Sequence, residues 1–328
     1  MSDRRRSISL SNAKSPLPRR DWLKVVGVAF LGSQVCEAAT DDLRAKAKKN
    51  LVLGIDAGVY RKLPLEEAAR RIKEDGFTGV LTNYGFADVR FDPLKPDWSA
   101  ADKITACFEK HGIRVASLYG YYNVVDPDPE RRKRGEARIE FFIANWKRLG
   151  CPVIATETGT YNRKSEWLDD PTNFTEAAFV ECRASLQRLA RLAEKSGATL
   201  AIEVYWRHVV GTIDRAERLL REVNSPSLRL VMDPANYLRN EDLPRMQPML
   251  HEMFQRLSDK AVVAHAKDVK AVPGGPEHPA AGKGTLDYPL YLRLLAQLNR
   301  KMDLLLEHLT LDDVPRARDY VLSQFDKI

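Results

Sequence analysis

The sequence predicts a single-domain (β/α)8 barrel of the α/β class, the TIM barrel architecture, over residues 41–328. Three observations predict it. Eight short apolar runs recur along the chain, with amphipathic segments of helical length between them. Several of those segments close on a glycine. Four consecutive runs end in a residue type that binds metal ions.

The strand candidates lie near 51–55, 77–81, 113–118, 152–156, 199–203, 228–233, 261–265 and 303–307. Several, such as LRLVM and LLL, are apolar on both alternations, as a strand covered on both faces should be. The segments LEEAARRIKE and FVECRASLQRLARLAEK carry apolar residues at helical spacing. Gly76, Gly112, Gly150 and Gly197 follow such segments at intervals of 36, 38 and 47 residues. A glycine just past a helix supplies the left-handed backbone that other residues resist. The intervals suit a strand–loop–helix–loop unit rather than a short solenoid repeat. A last helix fits 313–324. A doubly wound open sheet would want a glycine-rich phosphate loop after the first strand, and LVLGIDAGVYRK matches that poorly. The connection after the seventh strand, residues 272–284, is rich in Gly and Pro and long enough to reach over a barrel mouth.

The chain has 328 residues, 44% hydrophobic and 30% charged, an ordinary composition for a large packed core. Its formal charge of +7 is unevenly placed. Residues 1–38 hold seven Lys/Arg against three Asp/Glu, so +4 sits there and +3 remains on the body. That balance gives little reason to expect a nucleic-acid partner. No stretch approaches the ~18 apolar residues of a membrane span, so no stable membrane anchor is expected.

Residues 1–40 read as a leader outside the fold. Pro18-Arg19-Arg20-Asp21-Trp22-Leu23-Lys24 precedes a short apolar stretch from Val25 to Leu31. The order resembles a twin-arginine export signal, with Trp22 where Phe is usual and Cys36-Glu37-Ala38 as a small-x-small cleavage site. A periplasmic protein is the expectation. Val35 is too bulky to make Cys36 a lipoprotein anchor. The remaining cysteines, Cys107, Cys151 and Cys182, have no metal-type spacing and read as small buried side chains.

The four strand-end residues are Glu203 in ATLAIE, Asp233 in LRLVMD, His265 in AVVAH and Glu307 in DLLLE. Active sites of such barrels lie at the C-terminal ends of the strands. Three carboxylates and one imidazole there suit one divalent ion: Mn²⁺, Mg²⁺, Co²⁺ or Zn²⁺. The absence of thiolates argues against a structural zinc.

With these segments in view, the chain resembles the xylose isomerase-like barrel superfamily, within it the sugar phosphate isomerase/epimerase group, over about 50–325. The resemblance matches the family's strand-end ligands to Glu203 in AIEVY, Asp233 in VMDPANY, His265 in AHAKD and Glu307 in LLEHL. Lys267-Asp268 fits H-x-K-D, and residues 282–288 fit G-x-G-x-x-D-Y. It implies that Glu203 and Glu307 both bind metal and move protons, and that the substrate is a small sugar or keto-sugar. One departure is Asn236, where many members carry a histidine; Asn can donate a hydrogen bond but cannot take a proton.

Isomerisation or epimerisation removes a proton next to a carbonyl, which a metal and two carboxylates can support. Second-line substrate contacts are Asn236, His208, Lys267, Glu157, Arg207 and Tyr119, with Tyr122 beside them. The run Arg131 to Arg134 reads as a solvated helix start. The same residues would serve a lyase or hydratase acting on keto-sugars or keto-glycosides, and a non-catalytic sugar-binding barrel is a further alternative. An endonuclease IV-like hydrolase would need more histidine ligands and a basic groove; six histidines in the whole chain argue against it.

Overall fold

A computed structural model of the protein describes residues 41–328; the twin-arginine segment and Cys36 lie outside the described residues. A helix over 41–50 leads into eight parallel strands. These are β1 (Leu51–Asp56), β2 (Gly79–Thr82), β3 (Arg114–Tyr119), β4 (Val153–Glu157), β5 (Thr199–Glu203), β6 (Leu228–Met232), β7 (Ala261–Ala266) and β8 (Met302–Leu306). They close in sequence order, with Leu51 to Ile55 of β1 opposite Met302 to Leu306 of β8. A helix follows each strand: α1 (Leu65–Glu74), α2 (Trp98–Lys110), α3 (Pro129–Asn145), α4 (Glu176–Ser196), α5 (Ile213–Val223), α6 (Met246–Leu257), α7 (Tyr288–Gln297) and α8 (Val314–Gln324). The predicted (β/α)8 barrel is therefore the fold observed.

The glycine rhythm has a specific hydrogen-bond origin. At Gly197, with φ 74°, the Ala198 N–H reaches the Ala193 carbonyl at 2.9 Å and the Gly197 N–H reaches Glu194 at 3.3 Å. This pair of bonds closes a helix through one left-handed residue. Gly76, Gly112 and Gly150 repeat it. The closure also corrects a boundary. The Phe77 N–H bonds back to Ile72 at 3.1 Å, so β2 starts at Gly79 rather than at 77. Asn224 and Asn299 take the left-handed position after α5 and α7, a substitution the glycine pattern does not reveal.

The alternation of strand side chains positions the site. Leu81, Ala116, Ala155, Ala201, Val231, Val263 and Leu305 form one buried cluster inside the barrel. A larger cluster packs the outer faces of the strands against the helices. In β1 the corresponding place is Gly54, where a Cβ would lie 2.5 Å from both Gly79 O and Leu305 Cδ2. Two residues further along a strand, side chains return to the same face. Two beyond Ala155, Ala201, Val231, Val263 and Leu305 stand Glu157, Glu203, Asp233, His265 and Glu307. Two beyond Gly54 stands Asp56. An apolar floor is thus capped by titratable groups at the C-terminal mouth. β6 and β8 end at Met232 and Leu306, so Asp233 and Glu307 are the first residues past their strands.

Candidate metal centre

Glu203, Asp233, His265 and Glu307 converge, with one ligand atom of each lying within 4.8 Å of the others. His265 Nδ1 is 3.4 Å from Glu203 Oε1, 3.4 Å from Asp233 Oδ2 and 3.1 Å from Glu307 Oε2. All four residues are buried. Lys267 faces the same three oxygens, its Nζ 3.0 Å from Glu203, 2.7 Å from Asp233 and 3.1 Å from Glu307. Only 3% of Lys267 is exposed, so its ammonium is held by these carboxylates and not by water.

The groups perturb one another strongly. Burial works against the charged forms of His265 and Lys267, but the surrounding carboxylates outweigh it and hold both pKa values well above their usual ranges. Burial likewise opposes the Glu203 and Glu307 carboxylates, and here the neighbouring cations win. Lys267 and His265 hold Glu203 well below the ordinary range, and His265 and Lys267 bring Glu307 to about 2. Glu157 lacks such a cation, and burial, then Glu166 and Glu203, push its pKa well up.

Several contacts fix this arrangement. Glu203 accepts from Asn236 Nδ2 at 2.5 Å on Oε1 and from the Tyr121 hydroxyl on Oε2. The Tyr291 hydroxyl donates to the carbonyls of Met232 and His265, pinning the ends of β6 and β7. The two sequence patterns lock into each other. Asp268 accepts from the backbone N–H groups of Val269, Gly282 and Leu286, and the Tyr288 hydroxyl bonds to the Lys267 carbonyl at 3.1 Å. Only a glycine fits at 284, because a Cβ would come within 2.5 Å of Asp268 Oδ1 and 2.3 Å of Val269 O. Asp268 and Tyr288 therefore hold Lys267 in place from outside the cavity.

A cavity of about 400 Å³ opens above the cluster. Its lining takes in Glu203, Glu307, Asn236, His208, Lys267, Glu157 and Tyr119 from the expected set. His208 is buried, its Nε2 2.9 Å from the Glu166 carbonyl and its Nδ1 without a partner. Arg207 is not brought to this cavity. Its guanidinium lies 4.4 Å over the Trp206 ring and bonds to Gly274 O at 2.5 Å, tying two loops together. Tyr122 packs against Gly135 instead of facing the ligands. The loop after β7 does reach the mouth, with Pro276 and His278 in the lining.

Sequence reasoning missed Tyr121, Asp56, His278 and His308, all of which line the cavity. Tyr121 had a readable signal, since it shares the alternation of Tyr119, and both pack on the interior cluster. Asp56 had one too, as the last residue of β1. Burial, then Glu307, raises its pKa to about 6. His278 and His308 reach the mouth from loops, beyond any periodicity. Cys107, Cys151 and Cys182 are free and buried. Of the basic run, Arg131 pairs with Asp126 and Arg132 with Glu181, while Arg134 lines a neighbouring groove.

The donor set fits a divalent cation. Both His265 ring nitrogens and both Asp233 oxygens are buried without a hydrogen bond; the Lys267 contact to Asp233 is an ion pair. Buried groups of this kind normally find partners. Three carboxylates and one ammonium leave a charge of about −2 if His265 is neutral, which one divalent ion would balance.

Comparison with known proteins agrees with this architecture. Residues 63–321 match the family described as xylose isomerase-like TIM barrel. Curated proteins include no sequence match. Among solved structures, the chain is similar to a 3-keto-D-glucoside 4-epimerase from E. coli in its apo form, at 18% identity and TM-score 0.63, covering 85% of this chain and 100% of that one. It is similar to a xylose isomerase-like TIM barrel protein from Mycobacterium smegmatis in complex with magnesium, at 16% identity and TM-score 0.60, covering 85% and 97%. It is also similar to the probable 3-DHS dehydratase of Bacillus anthracis, at 13% identity and TM-score 0.61, covering 84% and 97%. At these identities the likeness establishes the fold.

Proposed function

We propose that this chain, which belongs to the xylose isomerase-like TIM barrel family, is a divalent-metal-dependent sugar isomerase or epimerase. The carrying observation is that two glutamates, Glu203 and Glu307, meet at one buried cluster from strands separated by β6 and β7. Such carboxylates can address a bound sugar from different sides. In an epimerisation, one carboxylate takes the proton from the carbon beside the carbonyl, and the bonding pair moves to give an enediolate. The other, once it has taken a proton from solvent, returns that proton to the opposite face, and the first releases its own to solvent. In an isomerisation the proton returns to the adjacent carbon. Glu203, Asp233, His265 and Glu307 would hold the ion, which when bound supplies positive charge that stabilises the enediolate oxygens. Mn²⁺, Mg²⁺, Co²⁺ and Zn²⁺ all suit the donor set. A 3-keto-glucoside epimerase and a magnesium complex among the similar folds support this choice of chemistry.

A second reading, a lyase or hydratase, draws on Glu157. This buried carboxyl lines the cavity with its pKa pushed well up by burial, so it can keep a proton for a departing oxygen. One experiment separates the readings: the Mn²⁺-loaded protein is incubated with free and 3-keto sugars in deuterated water. Deuterium at one sugar carbon without bond loss supports the isomerase or epimerase. Loss of an aglycone or water supports the lyase. Alanine at Glu203 or Glu307 should abolish either activity, and normal turnover in both variants would sink the assignment. Export through the twin-arginine route is part of the proposal and rests on Arg19, Arg20 and the apolar run after them. Cell fractionation tests it, with periplasmic recovery lost on Arg19→Lys/Arg20→Lys.

A further inference from the structure

We infer that the substrate is a glycoside carrying an anionic group on the part that does not react, and that a basic groove beside the metal cavity seats this group. The inference rests on the sugar-enzyme reading above and names its substrate class. The groove has a volume of about 660 Å³ and shares Tyr119, Tyr121, Glu157 and Trp167 with the metal cavity, so the two spaces adjoin along these side chains. The metal cavity, about 400 Å³, sits near the lower end for small-ligand sites and suits one sugar ring. The aromatic residues at the junction offer apolar faces to a ring passing between the two.

The charge of the groove is unbalanced. Arg131, Arg134, Arg138, Arg163 and Lys164 line it. Arg131 is committed to Asp126. Among the described residues, Arg134, Arg163 and Lys164 make no salt bridge and donate no side-chain hydrogen bond, although salt bridges bind many other arginines of the barrel. Arg138 bonds only to the Tyr121 carbonyl, and its Nε is buried without a partner. Asp126 is held by Arg131. Four cations thus face two remaining carboxylates, Glu157 and Glu166, and the balance stays positive. Guanidinium forks and an ammonium in a recessed groove select carboxylate or phosphate oxygens. Arg138 also joins the groove to the centre, because the Tyr121 it supports donates to Glu203.

The test uses the full chain loaded with Mn²⁺ and three matched 3-keto-disaccharides: neutral, with a carboxylate on the remote ring, and with a phosphate there. Deuterium exchange gives kcat/KM for each. The wild type should prefer an anionic form by about tenfold or more, the value of one charge-assisted hydrogen bond, and the preference should shrink with salt. The carboxylate and phosphate arms identify the anion. Arg134→Ala/Arg163→Ala/Lys164→Ala together should bring the ratio near one, and Arg163→Glu/Lys164→Glu should reverse it. Equal kcat/KM for neutral and anionic forms in the wild type, or a preference unchanged in both variants, would overturn the inference. If the wild type exchanges deuterium with none of them, the reaction reading has failed, and calorimetry then tests the groove alone. Binding of an anionic disaccharide that the triple variant loses upholds the groove. Equal binding of neutral and anionic forms, no binding, or preferential binding of a single-stranded oligonucleotide overturns it.

Discussion

Asn236 donates its side-chain amide to Glu203, with Nδ2 2.5 Å from Oε1. The residue that departs from the family's usual histidine is therefore a support for the fifth-strand carboxylate. Glu203 also accepts from Tyr121 and Lys267, whereas the hydrogen bond to Glu307 comes from Lys267. The two glutamates share one centre but differ in how firmly each is held.

This difference predicts the outcome of changing Asn236. Asn236→Ala should lower kcat about 10- to 100-fold, the range expected for losing a hydrogen bond to a charged group. Bound metal should stay near one equivalent. Asn236→Asp should be worse than alanine, because it sets a like charge against Glu203. Steady-state kinetics with metal analysis checks both, and an aspartate variant as active as the wild type would contradict the assignment.

Lys267 makes a second prediction. Its ammonium is the side-chain cation opposite three buried carboxylates, apart from His265. Lys267→Met should destabilise the metal-free protein by about 3–5 kcal/mol, the usual cost of leaving buried charge uncompensated. Added Mn²⁺ should recover much of the loss by supplying positive charge at the same oxygens. Thermal unfolding with and without the ion measures this, and equal melting temperatures for the metal-free variant and wild type would refute it.

Metal removal should also be visible in the wild type. An ion at 100 times its Kd stabilises the native state by about 2.7 kcal/mol. Chelation should therefore lower Tm, and Mn²⁺ should restore it. Asp233→Asn should abolish the response, since it removes one of the four converging ligands, a buried carboxylate held by ion pairs and no hydrogen bond.

The pH dependence of stability should carry the signature of His208. Burial lowers its pKa to about 4 from an ordinary value near 6.5, against the pull of the Glu166 carbonyl. The unfolded chain then binds the extra proton between those values. Stability from this group is full above about pH 6.5 and is lost as pH falls toward 4. By pH 5 the loss is about 2 kcal/mol. Denaturant titrations of the metal-loaded protein at pH 7 and pH 5 should show a smaller drop for His208→Gln than for the wild type. An identical drop would mean that His208 is not held neutral.

Much of the site was legible because its rules are local. Alternation of period two carries Ala201 to Glu203, Val231 to Asp233, Val263 to His265 and Leu305 to Glu307 onto one face. Helix closure at Gly76, Gly112, Gly150 and Gly197 is written in single residues. Those two signals determine the barrel and the four residues at its rim from the sequence by itself. Which polar side chains join them depends on contacts between distant segments. Tyr121 rather than Tyr122 meets Glu203, and Arg138 rather than Arg207 backs the site, because chain direction after each strand is set by neighbouring loops. Lys267 faces the carboxylates because Asp268 and Tyr288 anchor its backbone through the loop after β7. Only the closed tertiary structure decided these placements, since each requires groups far apart in sequence to satisfy one another's buried charge and hydrogen bonds.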